Sequence, residues 1–105
     1  MRVELSPEIL VYTGRARGRE DRRRFGLDVA DANGEVVNIV VPQTVYTMTS
    51  SYFLALLGDS IRRLGREEFA ARYRFDAPEH VVRKIDDWIS RAVREKRGLF
   101  GGDAP

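Results

Sequence analysis

A chain of 105 residues with 43% hydrophobic and 32% charged side chains has the balance of one folded domain that buries a core without staples, which excludes wholesale disorder. It has no cysteine, so disulfides, thiolate metal sites and cysteine nucleophiles are excluded and a reducing compartment is expected. The formal net charge is only +2, so where the charges cluster says more than their sum.

The first ten residues, MRVELSPEIL, carry acids inside their apolar region and do not read as a signal peptide. No apolar run approaches the roughly 20 residues that span a bilayer. A cytoplasmic protein without membrane association is expected. Ile9, Leu10, Val11 and Tyr12 favour a strand. Pro7 cannot donate to a ladder and marks an edge or a strand start, so a strand is expected over residues 8–13.

The next segment, GRARGREDRRR, concentrates Arg15, Arg17, Arg19, Arg22, Arg23 and Arg24 against Glu20 and Asp21. Its two glycines and its lack of a large apolar side chain read as a solvated loop. The alternative is a basic patch for phosphates or for an acidic protein. No aromatic side chain lies between the arginines, so a base-stacking surface is not indicated.

Phe25, Leu27 and Val29 then alternate with Gly26, Asp28 and Ala30, the period of a half-buried strand. Asn33-Gly34 is a strong hairpin signal. Val36, Val37, Ile39, Val40 and Val41 form the next strand, apolar on both faces apart from Asn38, as expected of an inner strand covered on both sides. Residues 24–41 therefore read as a β-hairpin.

Thr49, Ser50 and Ser51 come next, each able to cap a helix by accepting a bond from a free backbone N–H. Phe53, Leu56, Leu57, Ile61 and Leu64 fall on one helical stripe, and Gly65 ends it behind Arg62 and Arg63. In residues 67–75, EEFAARYRF, a strand is expected over the last five or so. Asp76 with Glu79 three positions on reads as a capping box, with Pro78 tolerated in the first turn. Val81, Val82, Ile85, Trp88, Ile89, Ala92 and Val93 make the apolar stripe of a last helix that Gly98 stops.

The expected order is β-β-β-α-β-α. It describes a single α/β (α+β) domain over residues 1–98, a mixed four-stranded sheet with helices packed on it, and a frayed tail over residues 99–105. The unit from strand 36–41 through helix 49–64 to strand 70–75 is a βαβ crossover, whose two strands should run parallel.

Little here carries chemistry. The only histidine, His80, sits beside Glu79 with no nucleophile in view, and Asp86 and Asp87 point to different angles on a helix. No ligand spacing suggests a metal, and Gly14 and Gly18 are too isolated for a phosphate loop. No catalytic residues, no metal and no cofactor are expected. Thr49, Ser50 and Ser51 remain. They cap a helix, and the same hydroxyls beside helix-end N–H groups suit an anion or a phosphoryl group.

The run VVNIVVPQTVYTMTSSYFLALLGDSIRRLGREEFAARYRF resembles the core of the STAS-like family of bacterial domains. The resemblance rests on the strand over residues 36–41, the Thr49-Ser50-Ser51-Tyr52-Phe53 helix start, Leu64-Gly65, and Glu68-Phe69. It covers about residues 36–95. It implies a STAS-type sheet-and-helix domain that works by binding other proteins. In STAS anti-sigma antagonists a serine at this helix start is phosphorylated by a partner kinase, and Ser50 and Ser51 are the matching positions. Met48-Thr49 stands where that family has Asp-Ser, and the expected hairpin stands where it often has a helix.

The leading expectation is a non-enzymatic regulatory module that binds a protein partner, a kinase or a regulator, through Thr49, Ser50, Ser51 and Tyr52. The alternatives are nucleic-acid or phosphate binding by the arginine segment, and a small phage or mobile-element inhibitor of a host protein. A homodimer through the sheet edge at residues 8–13 is also open.

Overall fold

The computed structural model describes residues 1–97, with strands β1 (Arg2–Glu4), β2 (Val11–Tyr12), β3 (Val37–Val40), β4 (Thr47–Met48) and β5 (Tyr73–Asp76). The helices are α1 (Arg15–Phe25), α2 (Leu27–Ala32), α3 (Ser50–Leu64), α4 (Arg66–Arg72) and α5 (Glu79–Arg97). Together they make a small α+β domain. The expected stop at Gly98 and the tail over residues 99–105 lie outside the described residues.

The strands form two parallel sheets rather than one mixed four-stranded sheet. The larger has the order β1-β3-β5, and the smaller pairs β2 with β4. The inner position expected for the strand over residues 36–41 is observed, and β3 and β5 run parallel on either side of α3 and α4 in the chain. The cover on both sides is not observed. Val37 and Ile39 are buried, whereas Asn38 is exposed and Val40 is half-buried. The register sets Arg2, Asn38 and Arg74 in one row and Glu4, Val40 and Asp76 in another. One face of this sheet is therefore buried against the core, and the opposite face is a polar surface.

The covered face has an aromatic floor. Phe53 of α3 lies 4.8 Å from Trp88 of α5 and 6.0 Å from Phe75 of β5, between ring centroids. Phe69 of α4 stacks on Tyr73 at 4.6 Å. The stripes expected on the two long helices are found in the core, through Phe53, Leu56, Leu57 and Ile61 on α3 and Val81, Ile85, Trp88 and Ala92 on α5. Val82 is the exception and is exposed. Trp88→Ala is expected to lower stability by about 3–5 kcal/mol through the cavity left against Phe53, measured as a shift in the urea midpoint.

The first half of the chain overturns the hairpin reading. The arginine segment is not a loop but α1, and residues 27–32 are helix α2 rather than strand. Only residues 11–12 of the expected 8–13 strand pair, and they pair with β4 away from the main sheet, whose outer strands are β1 and β5. Asn33-Gly34 closes α2 instead of a hairpin. Gly34, at φ +72°, donates to the Asp31 carbonyl at 3.2 Å, and the Glu35 N–H reaches the Ala30 carbonyl at 3.0 Å. These two bonds are the helix-terminating Schellman pair, which needs the same positive φ that an Asn-Gly hairpin turn uses. Further along, α4 takes residues expected to open a strand, so β5 begins only at Tyr73. Asp76 closes β5, three residues before α5 starts, rather than capping that helix directly.

The small sheet positions the site. β2 leads into α1 and β4 leads into α3, so two parallel strand-to-helix units stand side by side. The Thr49 N–H donates to the Tyr12 carbonyl at 2.9 Å, which locks the two units together where their helices begin.

Candidate functional site: an arginine-lined groove over the start of helix α3

At the start of α3 the three hydroxyls take different roles. Thr49 is the N-cap, accepting from the Tyr52 N–H at 3.4 Å. Its Oγ1 also lies 3.1 Å from Ser51 Oγ. Ser50 Oγ accepts from the Arg91 guanidinium of α5 at 3.0 Å. Ser51 is half-buried and opens on a groove of about 790 Å³. Tyr52 does not share that surface. It is fully buried, tilts against Tyr12 at 5.1 Å, and donates its hydroxyl to Asp21 at 2.7 Å. Phe53 is buried as well. The outer surface of the helix start therefore consists of Thr49, Ser50 and Ser51.

The groove brings the two separately expected sites together. One wall is α1, contributing Arg15, Arg19, Arg22 and Arg23, which repeat at helical spacing. The floor is Ser51, Leu54 and Ala55 of α3, continuing to Asp59 and Arg62, and α5 adds Arg91 and Glu95. Arg17 and Arg24 are not in the lining. Arg24 pairs with Asp21 at 3.2 Å and lies over the Phe25 ring at 4.9 Å.

The arginines of α1 also differ in kind. Arg22 is 5% exposed and belongs to the interior. Its guanidinium donates to the Leu56 carbonyl at 2.8 Å, to Ser60 Oγ at 3.0 Å, and to Asp28 at 2.7 Å. Asp31, buried behind it, accepts from Ser60 at 2.5 Å and from the Tyr73 hydroxyl at 2.6 Å. By contrast, Arg15, Arg19 and Arg23 are exposed and have no ion pair among the described residues. The acids of the lining are already engaged: Asp28 with Arg22, and Asp59 and Glu95 with Arg62 at 2.9 and 3.4 Å. The groove thus keeps a net positive surplus.

This arrangement perturbs its titratable groups. The hydrogen bond from Arg22 holds the Asp28 carboxyl below its ordinary range, with Arg63 assisting. Burial, and then the bond to Asp21, pushes the Tyr52 phenol far up, and burial with the bond to Asp31 does the same for Tyr73. A phenol whose pKa is raised on folding adds stability below its unfolded value and loses it as pH rises beyond that value. Stability is therefore expected to fall above pH 10.0, the ordinary tyrosine value, as the unfolded chain ionises first. Urea titrations across that range test this, and Tyr52→Phe should flatten the decline.

His80 is half-buried and its Nε2 has no hydrogen-bond partner. It lines a separate recess with Leu10, Thr44, Tyr46 and Lys84. Among the described residues no group of three His, Asp or Glu side chains is placed to hold a metal ion, and no helix is long and apolar enough to cross a membrane. Asp86 bonds Arg66 at 3.0 Å on an exposed face. Sequence reasoning missed Leu54, Ala55, Asp59 and Arg91 as groove residues, and Asp31 and Ser60 as its buried support. The one sequence signal was the helical spacing of Arg15, Arg19, Arg22 and Arg23.

Comparison of the chain with protein-family models, with curated proteins and with solved structures finds no match.

Proposed function

We propose that this protein is a non-enzymatic regulatory module of STAS-like type that binds a protein partner over the start of α3, with Ser51 as its switch. The observation that carries this reading is the position of Ser51, at the head of a helix and open to a groove walled by Arg15, Arg19 and Arg91. A phosphoryl group there adds about −1.5 to −2 charges and three acceptor oxygens within a surplus of guanidinium groups. It would occupy the surface a partner uses. Ser50 is the lesser candidate, because Arg91 already engages its hydroxyl. The helices over residues 15–32 also lend support, since they stand where the resembled family often has a helix. Ser51→Asp is expected to change partner retention in affinity purification from the native cell, and Ser50→Asp to change it less. Unchanged retention in both variants removes the switch.

A second reading is phosphate-backbone or nucleic-acid binding by α1. It is favoured by the one observation that Arg15, Arg19 and Arg23 share a helix wall and lack ion-pair partners among the described residues. It predicts gel-shift binding at low salt that Arg19→Glu with Arg23→Glu abolishes. Arg22 is unsuitable for that test because it is part of the buried network.

A further inference from the structure

We infer that the groove between α1, α3 and α5 is the seat of an acidic amphipathic helix from a partner protein. The inference rests on the protein-binding reading above and gives that partner a chemistry. Along α3 the groove runs from Ser51 to Arg62, a length of about 16 Å, or three helical turns. Its floor is apolar at Leu54 and Ala55, and both side chains are only half-buried. Its α1 wall carries three guanidinium groups, on Arg15, Arg19 and Arg23, with no ion pair among the described residues, and Arg91 stands on the opposite side. A helix with an apolar stripe for the floor and acids along its flank answers both features.

The charge is not spread evenly. At the Arg62 end, Asp59 and Glu95 already neutralise that arginine. The Ser51 end has Arg15 and Arg91 and no acid. The bound helix therefore has its acids concentrated over the Ser51 end. The same distribution argues against a nucleic acid. Evenly spaced phosphates would meet Asp28, Asp59 and Glu95, and the apolar floor would be left uncovered.

The wall is held in place by contacts on its inner side. Gly18 sits on the inner side of α1, against Tyr52 and Ala55. Arg22 ties the same helix to the Leu56 carbonyl and to Ser60. Substituting the exposed Arg15 and Arg19 leaves that anchorage intact.

The test uses the full chain and a dye-labelled peptide of about 14 residues, leucines on one stripe and glutamates along the flanks of its first half. Fluorescence anisotropy at low salt reads the binding. Binding is expected to weaken about tenfold or more in Arg15→Glu with Arg19→Glu, and similarly in Leu54→Glu. Arg17→Glu and Arg74→Glu, which lie off the groove, should leave it unchanged. Circular dichroism confirms that each variant is folded. A scrambled peptide of the same composition that binds equally well overturns the inference, as does a duplex DNA that binds more tightly with the same arginine dependence. Absence of peptide binding overturns it too. In that case, cross-linking of a purified native partner to positions 50 and 51 leaves the protein-binding reading standing, and absence of any such partner removes both.

Discussion

Asp31→Ala is expected to destabilise the protein by about 3–5 kcal/mol, the cost of removing one partner from a buried charge pair. The Asp31 side chain is 2% exposed and faces the Arg22 side chain, which is 6% exposed. Its two oxygens accept from the Tyr73 hydroxyl, from Ser60 and, at 3.4 Å, from Arg22. With the carboxylate gone, Tyr73 and Ser60 both lose their carboxylate acceptor and keep only each other at 3.3 Å, and Arg22 keeps Asp28 as its only carboxylate, at a site open to water on one side. Each orphaned buried donor then carries its own desolvation cost. Since a domain of this kind has about 5–15 kcal/mol in all, the loss is a large share of its stability. Urea denaturation measures the loss. The pair term is isolated by comparing Asp31→Leu, Arg22→Met and the double variant: removing both partners should cost less than the sum of the two single losses. Strictly additive losses would show that the pair is not a unit.

Gly18→Ala should have the second large effect, although alanine is the better helix former by about 1 kcal/mol. A methyl group at position 18 would lie 2.6 Å from the Ala55 methyl and 2.7 Å from the Tyr52 carbonyl oxygen. Neither atom is the end of a flexible chain, so α1 has to move away from α3. Overpacking of this kind costs about 1–3 kcal/mol, and here the shift also draws Arg22 off the Leu56 carbonyl. Gly18→Ala is therefore expected to lower the urea midpoint and to weaken groove binding even in the folded fraction. Ala55→Gly in the same chain should restore part of the loss, because it relieves the methyl contact but not the carbonyl one. If Gly18→Ala raises the midpoint, the close approach of the two helices is wrong.

These two positions also explain why half of the fold was not legible in advance. Hydrophobic periodicity finds a helix by its apolar stripe. The inward side of α1 has none: its buried residues are Gly18, Asp21 and Arg22, at helical spacing but with the composition of a surface loop. In α2 the inward residues are Leu27, Ala30 and Asp31, while Val29, which completed the alternation of a strand, is exposed. Over six residues a two-residue and a 3.6-residue period share too many positions to be separated when one core position is an aspartate. Asn33-Gly34 then agreed with the wrong choice, because a helix end and a hairpin turn ask for the same positive φ.

The amino-acid sequence alone determined the features that apolar spacing and punctuation encode. These are the α3 and α5 stripes, the inner position of β3, the parallel crossover to β5, and the presence of capping hydroxyls at the head of α3. Tertiary structure alone decided that α1 is a helix, that Arg22 turns inward while Arg15, Arg19 and Arg23 face a groove, and that Ser50 meets Arg91 while Ser51 opens on that groove. The physical reason is that α1 is held by long-range polar bonds from Arg22 to Leu56 and Ser60 on α3, and by a glycine that lets two backbones touch. Such bonds join residues up to 38 positions apart, and no local window of sequence contains them.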